Sequence, residues 1–149
     1  MKSKILISFL AILLILVLTG CDEMVAPELT DKSLAEETVY NYWQAIINRQ
    51  YVLAKWFCVI GGVWDHKTDE WEEYINDNSE GECSMVMIYF DKFYEPTEVI
   101  GNNAVVYARI IVDKIVFPCK KANGMDIDVL EYETELIKQN YPYGNWELK

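Results

Sequence analysis

The hydrophobic pattern of this chain changes period once, near Cys83, and that change constrains the fold most. Before it, apolar residues recur at helical spacing: Ala35, Val39, Trp43, Ile46 and Ile47, with Tyr40 alongside. After it they alternate. Ala104, Val106, Ala108, Ile110 and Val112 take one face of a strand, and Val105, Tyr107, Arg109 and Ile111 take the other. Leu130, Tyr132, Thr134 and Leu136 likewise alternate with Glu131, Glu133 and Glu135, so one sheet face is buried and one is wet. Helices first and an antiparallel meander second define an α+β domain, with N-terminal helices packed on one face of a curved antiparallel sheet.

The elements follow from local signals. Ser33-Leu34-Ala35-Glu36 has the spacing of a capping box and starts a helix that ends near Asn48-Arg49. A short helix spans residues 51–58, Gly61-Gly62 breaks it, and a third helix covers 68–75. The segment 76–81 reads as a turn. Residues 84–90 and 93–100 read as one bent strand, with Pro96 at an edge or a bulge. Gly101-Asn102-Asn103 is a tight turn. Strands then cover 104–112 and 127–138, with a loop at Pro118 and 120–125 between them. A turn at 140–144 leads to a last strand over 145–149, with Trp146 and Leu148 facing in.

The first twenty residues have a different character. A basic start, Met1-Lys2-Ser3-Lys4, precedes an apolar run from Ile5 to Leu18 that falls short of the roughly 20 residues a spanning helix needs. A charged start, an apolar middle and small residues before the junction make an export signal. Leu18-Thr19-Gly20-Cys21 closely resembles the lipobox of bacterial lipoproteins. The resemblance implies cleavage before Cys21, lipidation of its thiol and anchoring in the cell membrane, with the domain on the exported, periplasmic or extracellular, side. It divides the chain into a signal (1–20), an acidic tether (21–32) and one α+β domain (33–149).

Charge narrows the partners. The formal net charge is −11, and removing Lys2 and Lys4 with the signal makes it two units more negative. That excludes a surface built for nucleic acid or for anionic lipid. The four cysteines show no Cys-x-x-Cys or zinc spacing, and His66 is the single histidine. With Cys21 lipidated, three remain, and one disulfide plus one buried thiol is the simplest count for an exported protein. A regular hairpin about Gly101-Asn102 brings Cys83 and Cys119 within one place of being opposite, and a bulge would supply the missing residue. Such a bridge stabilises by about 2–4 kcal/mol. The rival pairs Cys58 with Cys83 or Cys119.

Two stretches resemble NTF2-like (cystatin-like, cone-shaped) lipoprotein domains. One is Glu36 to Ala45 followed by Asn48 to Lys55, a helix, a polar turn, an aromatic and a short helix. The other is Tyr132 to Asn140 followed by Gly144-Asn145-Trp146-Glu147-Leu148-Lys149, the closing hairpin. The resemblance implies a cone whose concave sheet face and helices enclose a site. It also implies a function as a ligand-binding or protein-interaction module of the cell envelope. Some relatives are enzymes of the ketosteroid isomerase type, so an isomerase-like or hydrolase-like activity inside the cone is the alternative. Such domains often dimerise through the outer sheet face. Here Glu131, Glu133 and Glu135 crowd like charges there, which implies a monomer or a weak dimer.

Few residues carry chemistry. Aromatics exceed what a small core needs. Trp43, Trp64, Tyr107 and Tyr132 are the candidate lining of a site for a small apolar or sugar-like ligand, with Trp64 in a loop after Gly61-Gly62. Trp43, Trp56 and Trp146 read first as core. Asp128 shares a face with Leu130 and Tyr132 but sits at the strand's wet start, and an isomerase-like base there would need Tyr107 or Tyr132 beside it. Arg109 reads as a cross-strand partner of Glu131 or Glu133. The cluster Asp65-His66-Lys67-Thr68-Asp69-Glu70 reads as an acidic first helical turn rather than a metal site. No catalytic residue, metal ligand or cofactor is assigned.

Overall fold

The computed structural model describes residues 30–79, 84–116, 124–139 and 145–149. Three helices, α1 (Asp31–Ile47), α2 (Tyr51–Lys55) and α3 (Val63–Ser79), precede the strands β1 (Ser84–Phe93), β2 (Glu98–Ile100), β3 (Asn103–Val116), β4 (Gly124–Lys138) and β5 (Trp146–Leu148). The sheet is antiparallel, in the order β1-β3-β4-β5, with β2 beside β3 on the same edge as β1. The helices cover its concave face, and the fold is the α+β cone that the sequence implied. Among the described residues no helix is long and apolar enough to cross a membrane.

α1 buries the face carrying Ala35, Val39, Tyr42, Trp43, Ala45 and Ile46. It starts two residues ahead of the expected cap. Thr30 is the N-cap, its hydroxyl oxygen accepting the Ser33 N–H at 3.2 Å, while the Ser33 hydroxyl donates back to the Thr30 carbonyl at 2.8 Å. The helix ends at Asn48 as expected, and Arg49 takes a left-handed φ of 57° to turn the chain into α2. α2 is shorter than expected, and α3 is longer at both ends. The Gly61-Gly62 pair launches α3 as well as ending α2. The Gly61 N–H donates to the Asp65 carboxylate at 2.8 Å, which caps the new helix. Gly62 has no room for a side chain: a Cβ there would lie 2.9 Å from the Val59 carbonyl oxygen and 3.1 Å from the Lys149 backbone.

The alternation in β3 and β4 survives in the structure. Ala104, Val106, Ala108, Ile110, Val112, Thr134 and Leu136 are buried against the helices. Trp146 and Leu148 of β5 face in as well. β5 is held on both sides, by β4 and by the 57–59 segment, where the Val59 N–H meets the Leu148 carbonyl and the Leu148 N–H meets the Phe57 carbonyl, each at 2.8 Å.

The bent strand resolves into β1 and β2 with a break at Tyr94 to Thr97. Pro96 supplies no donor there, and the Thr97 hydroxyl donates to Glu36 of α1 at 2.6 Å. The two-residue turn is present, with Ile100 opposite Asn103. A regular hairpin would then set Ser84 opposite Cys119. It faces Val116 instead, because the bulge between Phe90 and Lys92 and the break at Pro96 take up three residues. The regular register that placed Cys83 beside Cys119 is therefore not the register formed. Both cysteines lie outside the described residues, and their pairing stays a proposal. Cys58 is a buried free thiol.

Thr30→Ala is expected to lower unfolding free energy by about 1 kcal/mol, the usual cost of an N-cap side chain. Ser33→Ala should cost less, since Ser33 only returns a hydrogen bond to the cap; denaturant titration of both variants checks the order.

Candidate functional site at the mouth of the cone

The site is assembled by α1, α3 and β4. α3 places Trp64, Lys67, Thr68, Trp71, Tyr74 and Ile75 along one side by its 3.6-residue period. β4 contributes Asp128, Leu130 and Tyr132 from the concave face, and Val112 stands opposite Asp128 on β3. Inside, the rings pack mostly edge to face, with Trp43 and Tyr132 tilted at 44°. Trp43 lies 5.1 Å from Tyr132, 5.7 Å from Trp71, 6.1 Å from Trp64 and 5.4 Å from Tyr42, centroid to centroid. Trp64 touches Tyr132 at 5.6 Å. Trp43 is fully buried and Trp64 nearly so, so these rings fill the floor of the cone.

What stays open is its mouth. A cavity of about 290 Å³ is walled by Trp71, Tyr74, Leu130, Tyr132 and Val112, with Lys67, Glu70 and Asp128 at the rim. The Lys67 ammonium sits 4.4 Å from the Trp64 ring centre and 5.3 Å from that of Tyr132, a double cation–π contact. Burial, helped by the Glu70 charge, raises the Tyr132 hydroxyl above the ordinary phenol range. One cation, two carboxylates and three aromatic faces suit a small ligand that stacks, donates hydrogen bonds to the carboxylates and accepts one from Lys67.

Behind the rings lies a small polar cluster. The Tyr42 hydroxyl and Thr68 hydroxyl are 3.2 Å apart, and Thr68 donates to the Trp64 carbonyl at 2.8 Å. Cys58 is the third member, its thiol donating to the Ala54 carbonyl at 3.5 Å. Burial pushes the Cys58 thiol up to about 12, partly offset by its contact with Thr68. Burial likewise drives the Tyr42 hydroxyl above its usual range. A thiol so held is a poor nucleophile, since the thiolate is the reactive form.

The candidate lining divides. Trp43, Trp64 and Tyr132 come together, with Trp43 and Trp64 as floor and Tyr132 as wall. Tyr107 does not join them. It stands opposite Glu133 on the outer face and packs on Tyr94 at 5.9 Å. Trp64 is in α3 rather than in a loop. Trp56, expected in the core, is 76% exposed. Asp128 is exposed at the rim, as its place at the wet start of the strand implied. Arg109 bridges to Glu131 at 2.5 Å, the cross-strand pair expected of it. Asp69 is paired with Lys55 at 2.7 Å and His66 points to solvent. Among the described residues no group of three His, Cys, Asp or Glu side chains is placed to hold a metal ion. Lys67, Glu70 and Tyr74 were not read as lining, though the helical spacing of Trp71 and Tyr74 puts those two rings on one side of α3.

No protein-family model matches the chain, and no curated protein matches it. Solved structures do. The Kfla4162 protein of Kribbella flavida superposes with a TM-score of 0.58 at 10% identity, over 79% of this chain and 85% of that one. An NTF2-like superfamily protein of Salmonella enterica serovar Typhimurium gives 0.53 at 13% identity, over 80% and 88%. A variant of Rv3472, a protein of unknown function from Mycobacterium tuberculosis, gives 0.55 at 15% identity, over 87% and 73%. At these identities the likeness concerns the fold alone: the domain has the NTF2-like fold.

The Cys58 thiol supplies a pH test. In the unfolded chain it ionises near 9, in the folded protein only near 12. Between those values the folded state binds more protons, so stability is full below pH 9 and falls as pH rises towards 12. The expected result is a native Cys58 that resists a thiol reagent at pH 8 and reacts on unfolding, with Cys58→Ala flattening the alkaline loss of stability.

Proposed function

We propose that this is a membrane-anchored lipoprotein whose exported domain is a non-enzymatic binding module, taking a small apolar or sugar-like ligand at the mouth of its cone. The supporting observation is the cavity of about 290 Å³ between α3 and β4, with the faces of Trp71, Tyr74 and Tyr132 as walls and Lys67, Glu70 and Asp128 at the rim. Its size suits a ligand of one or two rings. The ring-filled floor favours shallow capture over a deep reaction chamber. The anchor rests on Leu18-Thr19-Gly20-Cys21, outside the described residues.

Two observations keep other readings in view. The outer sheet face exposes Met85, Tyr89, Ile127 and Val129, which favours an envelope protein as partner. Asp128 and Tyr132 line one cavity, the arrangement that an isomerase-like enzyme would use. Native mass spectrometry of the chain from its producing cell tests the leading reading. A ligand mass that is lost on denaturation, and is absent in Trp71→Ala, is the expected result. A bare protein in both cases contradicts it and turns attention to the outer face. A bound molecule that Asp128 converts, with conversion abolished in Asp128→Asn, would make the protein an enzyme.

A further inference from the structure

Among the described residues, and Ile100 at the β2 turn apart, the strongest apolar exposure lies in one short stretch, α2 and the turn into α3. Val52 is 75% exposed, Trp56 76%, Ile60 95% and Val63 61%, with Leu53 beside them at 38%. Val52 and Trp56 are one helical turn apart on α2 and line one cleft with Leu53 and Arg49. Large side chains grouped this way on a soluble surface mark a docking face.

Its charge is as unusual as its exposure. In a chain with 24 Asp and Glu, the segment 38–64 has none, and it carries Arg49 and Lys55. No other acid-free stretch after Cys21 is as long. The nearby carboxylates belong to other segments. Asp65 and Asp69 are held by Lys55 at 3.5 and 2.7 Å, and Glu72 lines the far wall of the α2 cleft. Trp56 also shares a second cleft, of about 400 Å³, with Leu34, Glu37 and Glu147. Trp56 therefore stands beside the early turns of α1, the helix that Thr30 caps.

We infer that this ridge seats the domain on the surface of the bilayer that holds its anchor. The inference rests on the lipoprotein reading above. Cys21 stands nine residues before Thr30, so extended chain reaches at most about 30 Å, and the domain stays within its own diameter of the membrane. Most of its surface is acidic and is repelled by anionic headgroups. The ridge carries no carboxylate of its own, but Glu37, Glu72 and Glu147 flank Trp56, so its contact is apolar and does not draw on headgroup charge. Trp56 suits the headgroup level, where amphipathic rings collect, and Val52, Ile60 and Val63 suit the acyl boundary beneath it. A second weak contact beside a lipid anchor fixes the orientation of the domain and points the mouth of the cone in one direction.

The test uses the full lipidated chain in phosphatidylcholine liposomes containing brominated acyl chains, which quench tryptophan at short range. Flotation of the liposomes first shows whether the chain is anchored, with Cys21→Ala as the unanchored control. The expected result is flotation, partial loss of tryptophan emission, and disappearance of that loss in Trp56→Phe and Ile60→Glu. Flotation without quenching overturns the ridge contact, leaves the anchor standing, and marks α2 as a surface for a protein partner. Quenching that persists in Trp56→Phe also overturns it, because another tryptophan then meets the lipid. A wild-type chain that fails to float overturns the anchor reading, and the ridge contact with it.

Discussion

The fold depends on one packed contact, the Trp43 ring against Tyr42, Trp64, Trp71 and Tyr132. It joins α1, α3 and β4, beside the packing of α1 on β1, β3 and β5 and of α3 on β1. Rings of this size each bury well over 100 Å², and their edge-to-face geometry adds about 0.5–1.5 kcal/mol per pair beyond area. The orthogonal arrangement also sets distances. α3 cannot slide along the sheet without opening several ring contacts at once.

That contact decides what the cone can do. A curved sheet under helices leaves a space to fill. Here large side chains fill the floor, and only the mouth between α3 and β4 remains open. Three of the polar groups kept inside, Tyr42, Thr68 and Cys58, satisfy one another and the backbone, while Trp43 Nε1 and Thr134 Oγ1 are buried without a partner. The Lys67 ammonium over Trp64 and Tyr132 closes the gap between floor and rim. The opening left in this way is shallow and walled by aromatic rings.

Period-two alternation made β3, β4 and β5 legible, because a sheet with one wet face must alternate. Helical spacing did the same for α1. The register of β1 was not legible. A bulge at Phe90/Lys92 and a break at Pro96 are set by how the sheet coils against α1, where Thr97 meets Glu36, and no local residue pattern counts those lost positions. α3 was cut short because two glycines read as a stop, while Gly61 donating to Asp65 makes them a start. Of the four candidate lining residues three come together, and of these only Tyr132 lines the cavity. Trp43, Trp64 and Tyr132 belong together, but Tyr107 was misplaced although its strand parity already put it on the face opposite Ala108. Trp56 was assigned to the core on hydrophobicity, and nothing local to it reports that α2 turns that side outward.

In its effect on folding, a buried central ring should respond differently from an exposed surface ring to the same substitution. Urea unfolding of Trp43→Ala beside Trp56→Ala compares them directly. The account predicts a loss of about 3–5 kcal/mol for Trp43→Ala, the range for truncating a buried large aromatic. It predicts a change within about 0.5 kcal/mol for Trp56→Ala, as at an exposed position. Equal losses, or a larger loss at Trp56, would contradict the claim that the ring cluster around Trp43 holds the cone together.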